Sequence, residues 1–285
     1  MKFGIFGNSS KSSVTATLRK LSKYFNKNKI EYFISKDIFL SGNEISGSRY
    51  FSNKYIAKNS DVIISLGGDG TFLNTARIVG NSGIPILGVN LGGLGFLAEI
   101  LPDETIKFLD EIKAGDFEAC ERTVLKITLP DNKILHGLND IVLDREKSIR
   151  LIDVEIFYND EYVGRFLADG AIVSTPTGST AYSLSAGGPV VTLMSKVMLL
   201  TPICPHSLNI RPIIFPDDGT IKLRVRQNIS ARLTADGQKV AVIKSPAEIK
   251  ISKAGHTIKT IKRKGQTYFA TLNTKLFWTA ERWRN

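Results

Sequence analysis

Residues 62–76 read VIISLGGDGTFLNTA. Val62-Ile63-Ile64-Ser65-Leu66 has the length and the β-branched content of a buried strand. Gly67-Gly68-Asp69-Gly70-Thr71 interrupts it, and Phe72, Leu73, Ala76 and Val79 then fall at helical spacing. The flanking sequence repeats this alternation. Phe3-Gly4-Ile5-Phe6 reads as a strand that turns at Gly7-Asn8-Ser9-Ser10, and Val14, Leu18 and Leu21 mark a helix after it. Ile30 to Ile34 forms another short strand, and SGNEISGSRY (41–50) reads as a surface loop. NSGIP leads into a strand at Ile86-Leu87-Gly88-Val89. PDETIKFLDEIKAGDF then predicts an amphipathic helix, capped by Asp103, with Ile106, Leu109 and Ile112 on one face. Strands alternating with helices predict a doubly wound, mostly parallel α/β sheet over residues 1–119.

The pattern changes after Gly115. TVLKITL, KILHGLNDIVL, RLIDVEIFY, EYVGRFLA and AIVSTP are short strand-like runs, with PDNK and YNDEY as hairpin turns between them. TIKLRVR, ARLTADG, VAVIK, AEIKIS and HTIKTIK continue the series beyond Ile213, and only 178–186 reads as helical. The expectation is an all-β second domain over 120–265. A final segment of about 266–285 is expected to pack back on the first domain. The 285 residues have room for two domains of ordinary size, and no internal repeat is visible.

Composition bounds the function. The formal net charge of +11 suits a polyanionic partner. The lysines are scattered, however, and IKTIKRKGQ alternates like a solvated strand, so solvated faces are expected over a nucleic-acid groove, and charge lends a nucleotide substrate only weak support. No apolar run reaches the roughly 18 residues of a membrane span. The N-terminus reads as a strand and not as a cleavable leader, and two cysteines make neither a disulfide framework nor a metal cluster. A reducing cytoplasm is the expected compartment.

A loop leaving the carboxyl end of a parallel strand is where open α/β sheets bind ligands. Gly67, Gly68 and Gly70 would let the backbone approach a phosphate, and the helix behind adds N–H groups and a positive dipole end. Thr71 could add a hydroxyl to the same phosphate. Asp69 needs its own reason, because a carboxylate repels phosphate. A Mg²⁺ ligand or a proton acceptor would suit it, and a plain helix cap serves the loop alone equally well. The chain has no P-loop and no G-x-G-x-x-G fingerprint. His136, His206 and His256 show neither metal-ligand spacing nor a Ser-His-Asp order.

Five stretches in one order carry a resemblance: GGDGTFL (67–73), GVNLGGLGFL (88–97), LND (138–140), DGAIVSTPTGSTAYSLSAGGP (169–189) and ADGQ (235–238). In order and separation they resemble the NAD kinases over about positions 1 to 280. Phosphofructokinases and diacylglycerol-type lipid kinases carry loops like GGDG, so that loop is weakly specific; STPTGSTAYSLSAGGP is the specific one. The resemblance implies phosphorylation of the 2′-hydroxyl of the adenosine ribose of NAD to give NADP. ATP or polyphosphate would be the donor, with Mg²⁺ or another divalent metal whose protein ligands the sequence does not name. It implies Asp69 as the catalytic aspartate with Gly70 beside it, and Asn139 and Asp140 as dinucleotide contacts. It places Asp169 near the nicotinamide end and Thr180, Ala181, Tyr182, Ser183, Leu184 and Ser185 along the nucleotide pocket. A helix N-terminus after Pro176-Thr177-Gly178 would offer further N–H groups there, and Gln238 and Arg150 match polar or basic contacts. The expected partners are NAD and ATP, with no nucleic acid and no membrane, in a homodimer or homotetramer.

One departure stands out. Some relatives have an arginine two residues before the Asp-Gly pair; here that position is Leu167, with Arg165 nearby. Two other readings stay open on sequence alone. A lipid kinase would share GGDG yet have little use for STPTGSTAY. A catalytically silent NAD(P)-sensing module is disfavoured by Asp69.

Overall fold

The computed structural model describes residues 1–7, 12–39, 49–93, 95–146, 149–226, 230–244 and 246–278. The expected turn at 8–10 and most of the expected loop at 41–50 lie outside the described residues. The chain divides into two compact units: Met1–Glu121 together with Ile258–Asn285, and Arg122–Thr257.

In the first unit β1 (Phe3–Gly7), β2 (Tyr32–Ser35), β3 (Tyr50–Phe51), β4 (Val62–Gly67) and β5 (Ile86–Asn90) form a parallel sheet in the order β5-β4-β1-β2-β3. Ile5 is in register with Ile34 on one side and Ile64 on the other, and Ile64 with Leu87. All six residues of β4 are buried, which is why its sequence is a continuous apolar run. The helices are α1 (Ser12–Lys27), α2 (Lys36–Phe39), α3 (Asn53–Asn59), α4 (Asp69–Val79) and α5 (Thr105–Lys113), followed by a C-terminal helix over Tyr268–Leu276. Val14, Leu18, Leu21 and Phe25 of α1 enter a core with Phe3, Ile5, Leu66, Phe108 and Leu109. The helical spacing expected for α4 is borne out, since Phe72, Leu73, Ala76 and Val79 are all buried.

Two expectations about α5 need correction. Glu104 stands at its N-cap and makes no side-chain cap bond, while the Asp103 carboxylate accepts from Lys20 Nζ at 2.8 Å. An exposed acid near a helix start is drawn to a cation that sequence distance hides. The buried stripe is Thr105, Phe108, Leu109 and Ile112, with Ile106 at its half-buried edge.

The second unit is built from antiparallel strands. β6 (Glu118–Thr128), where the chain crosses into this unit, pairs with β7 (Ile134–Gly137). One sheet contains β8 (Asp140–Asp144), β11 (Gly170–Ser174), β12 (Val197–Ile203), β13 (Ile213–Pro216), β15 (Ser230–Ala235) and β16 (Gln238–Lys244), in the order β13-β12-β11-β8-β15-β16. The other places β9 (Ile152–Tyr158) between β10 (Glu161–Ala168) and β14 (Thr220–Val225), with β17 (Ala247–Lys262) beyond β14. Alternate residues fill the core: Ile141, Leu143, Ala171 and Val173 from one sheet meet Val154, Ile156, Leu223 and Ile249 from the other. Asn159 and Asp160 of YNDEY both have positive φ, 49° and 70°, so the expected hairpin turn is a two-residue one whose twist matches its strands.

KILHGLNDIVL does not form a single strand. The chain breaks at Leu138-Asn139 between β7 and β8. The break sets the neighbouring side chains apart: Ile141 and Leu143 point into the core, while Asp140, Val142 and Asp144 occupy the opposite face of their sheet.

Candidate active site

Gly68 is the N-cap of α4 and Asp69 its first helical residue, so Asp69 does not cap the helix. Its carboxylate turns away to the segment after β5. Oδ2 accepts from the N–H of Phe96 at 2.8 Å, and Oδ1 accepts from Leu97 and Ala98 at 3.0 and 3.1 Å. A carboxylate has about four acceptor positions, so one remains, on Oδ2. Gly95 lies against this group: a Cβ there would sit 1.9 Å from Asp69 Oδ1. The buried Asn90 shapes the same loop, with its amide donating to the carbonyls of Gly93 at 2.9 Å and Ala98 at 3.1 Å and accepting from Gly92 N–H at 2.8 Å. Neither Gly67, Gly68 nor Gly70 uses a left-handed backbone. A Cβ on Gly68 or Gly70 would meet no described atom within 4 Å, so the surface over both is open to a ligand. The Thr71 side chain instead packs back against Gly67.

The second unit gathers its polar groups around the break before β8. Asp140 is buried, and no described donor reaches its carboxylate. Burial, and next the Asp236 carboxylate, push its pKa up to about 7. Asn139 Oδ1 is buried with no described partner. The Asn139 carbonyl accepts from Thr175 N–H at 2.9 Å, and Thr175 Oγ1 donates to the Leu138 carbonyl at 2.7 Å. The following turn packs against Asn139 closely: a Cβ on Gly178 would lie 2.0 Å from the Asn139 oxygen. Only glycine permits that approach.

Residues 178–185 form a 3₁₀ turn, Gly178–Thr180, and a four-residue helix α6, Tyr182–Ser185. The expected supply of free N–H groups is smaller than a full helix would give. Gly178 N–H donates to Thr175 Oγ1 at 3.1 Å, and Ala181 N–H to the Gly178 carbonyl at 2.9 Å. Tyr182 is 46% exposed and therefore not a core residue. Burial of part of the ring, then the charge of Asp144, raises its phenol pKa, with Asp169 adding to the effect and Arg232 opposing it. Thr180, Ala181 and Leu184 are half-buried and Ser185 is exposed. Ser183 is fully buried, its hydroxyl 2.8 Å from that of Thr201. Asp169 pairs with Arg145 at 3.1 Å, and Asp144 takes two nitrogens of Arg232. Gln238 is exposed at the start of β16 opposite Ala235, and Arg150 is exposed in the connection from β8 to β9. Arg165 does not stand in for the arginine absent at Leu167, because its Nε donates to Asp153 at 2.7 Å on the neighbouring strand.

Both units match family models. Residues 4–117 match the ATP-NAD kinase N-terminal domain and residues 138–263 the ATP-NAD kinase C-terminal domain. The chain belongs to the NAD kinase family. The NAD kinase of Bacteroides fragilis is 39% identical over 292 residues, covering 99% of each chain, and that of Flavobacterium johnsoniae is 35% identical over 98% of each. The crystal structure of yeast NADH kinase complexed with NADH is similar at a TM-score of 0.89, with 27% identity over 98% of this chain and 88% of the yeast chain.

Two residues of this NAD kinase family member were not singled out from sequence. Asn90 looks like a strand-end residue before a glycine run, and nothing local signals that its amide organises eight residues of loop. Asp236 had a readable signal: Asp-Gly between two strands predicts a tight hairpin turn. That signal does not reveal what its carboxylate holds.

Proposed function

We propose that this chain transfers the terminal phosphoryl group of ATP to the 2′-hydroxyl of the adenosine ribose of NAD, giving NADP. The observation that carries this reading is the Asp69 carboxylate, fixed by three backbone N–H groups with one acceptor position left on Oδ2. As the ribose oxygen bonds to phosphorus, the bond from that phosphorus to the departing ADP oxygen breaks. The hydroxyl proton passes to Asp69 Oδ2. Phosphoryl transfer asks mainly for positioning and charge neutralisation, and a carboxylate held on backbone N–H groups supplies the first. Among the described residues no three acidic, histidine or cysteine side chains could hold a metal ion together. That fits Mg²⁺ arriving on the triphosphate, since this ion binds through one carboxylate plus substrate phosphates more often than in a protein cage. When bound, it neutralises phosphate charge.

In the same reading, Gly68 and Gly70 admit the phosphates, and Asn139 and Asp140 take the ribose and base of NAD. Tyr182 presents an aromatic face beside them, with Thr180, Ala181, Leu184 and Ser185 lining the pocket. Asp169, Gln238 and Arg150 are proposed polar contacts at its margin. Ser183, by its buried bond to Thr201, supports the pocket from behind. A homodimer or homotetramer in the cytoplasm completes the proposal. The test is NADP formation from NAD, ATP and Mg²⁺ by the wild type and by Asp69→Asn. The substitution keeps the size and removes the proton acceptor, so kcat should fall by at least ~10²-fold with thermal stability little changed. Wild-type turnover by Asp69→Asn would refute the assignment.

A further inference from the structure

We propose that Asp236 is a positioning residue for the dinucleotide: it holds the Leu138–Asp140 turn in the shape that presents Asn139 and Asp140 to NAD. The inference rests on the reading above that this turn contacts NAD. At the break between β7 and β8 the chain leaves its ladder, and three consecutive backbone N–H groups need other partners. One carboxylate takes all three. Asp236 Oδ2 accepts from Leu138 at 2.9 Å, and Oδ1 accepts from Asn139 at 2.7 Å and Asp140 at 3.3 Å. Asp236 N–H returns a bond to the Asp140 carbonyl at 3.0 Å. Thr175 secures the other carbonyls of the turn.

The backbone of the turn is therefore committed, while its two polar side chains are not: Asn139 Oδ1 has no described partner, and only burial and the charge of Asp236, no described hydrogen bond, act on the Asp140 carboxylate. A rigid frame with uncommitted polar ends is preorganised for a ligand. The hairpin brings Asp236 there. Ala235 and Gln238 pair across a two-residue loop in which Asp236 and Gly237 have φ of 49° and 72°, and Ala235 is in register with Ile141 of β8. Aspartate tolerates this left-handed backbone, and its short side chain reaches back to the neighbouring strand.

The test uses full-length Asp236→Asn and Asp236→Gly, both compatible with the positive φ. Asparagine keeps one acceptor oxygen and turns an N–H donor towards the turn; glycine removes the whole anchor. The expected result is a KM for NAD raised at least tenfold in Asp236→Gly and less in Asp236→Asn. The KM for ATP should stay within about twofold of wild type in both, a specific loss of positioning. A second readout is the pH profile of NAD affinity. Among the described residues, the titratable groups on the elements around Asp140 are Asp144 on its own strand, Arg232 on β15, Asp236 on the hairpin and His136 on β7; Asp236 is the one that adds to the raised pKa of Asp140. Asp236→Asn should therefore move the acid-side loss of NAD affinity to lower pH. An unchanged KM for NAD in Asp236→Gly, or equal rises for NAD and ATP with early melting, would reduce Asp236 to a turn residue. Asp140→Asn separates the two ideas. If it leaves NAD binding intact, the pocket reading fails; if it weakens NAD binding while Asp236→Gly does not, only the positioning role fails.

Discussion

Replacing Gly95 by alanine tests whether the backbone after β5 holds Asp69 for catalysis. The new Cβ would fall 1.9 Å from Asp69 Oδ1, where ordinary contact begins at 3.4 Å. The carboxylate or the 95–98 backbone must give way by about 1.5 Å, because packed groups do not interpenetrate. Either movement breaks the bonds from Phe96, Leu97 and Ala98, which lie at 2.8 to 3.1 Å. A misplacement of ~1 Å at a reacting group can cost about 10²-fold in rate, or ~2.7 kcal/mol of barrier. The stability change should be smaller. Gly95 is not in the left-handed region, so its backbone conformation does not itself resist alanine, and water can solvate the half-buried carboxylate once it moves. Steady-state kinetics with NAD and ATP, alongside a melting curve, decide the case. The expected pattern is a kcat lower by about 10²-fold, with both KM values and Tm close to wild type. Wild-type kcat in Gly95→Ala would refute the claim that this contact fixes the catalytic geometry.

Two further predictions concern the second unit. Asp140 has a folded pKa of about 7, above its unfolded value, so the folded state binds the extra proton and the contribution of this group to stability falls as pH rises from about 4 to 7. Asp140→Asn should therefore raise Tm above pH 7 and lose that advantage towards pH 4; an equal effect at both ends would contradict the raised pKa. Tyr182→Ala should weaken NAD and NADP binding in titration calorimetry while costing well under the ~3–5 kcal/mol of a core aromatic truncation, since the ring is 46% exposed. Early melting with native NAD affinity would sink the pocket assignment of Tyr182.

What could be read from the sequence was what neighbouring residues decide. The strand at 62–67 and the four buried positions of α4 were legible because an apolar run and a helical period are local signals. Helix α3 was not, because only Ile56 of its seven residues is buried and no stripe forms. KILHGLNDIVL looked continuous because its apolar residues run through the break, whose cause lies almost a hundred residues further along in Asp236. The cap expected of Asp103 failed for the same reason, as Lys20 is invisible from the helix it serves.

The candidate site follows this division as well. Motif order pointed to Asp69, Asn139 and Asp140, but gave no account of how each is held. Asp69 and Asp236 use one device for opposite ends. Each is a single carboxylate that collects three consecutive backbone N–H groups from a remote segment: 96–98 in the first unit and 138–140 in the second. At Asp69 the backbone is the frame and the carboxylate is the group left with a free acceptor position. At Asp236 the carboxylate is the frame, and the polar side chains of the captured turn, Asn139 Oδ1 and the Asp140 carboxylate, have no described hydrogen-bond partner. Moving backbone would blur either arrangement, because a carboxylate can hold three N–H groups only if the donors already converge. Both turns therefore need glycine where the chain approaches most closely, Gly95 against Asp69 and Gly178 against Asn139. This gives Gly95 of GGLGFL and Gly178 of PTGST a packing reason.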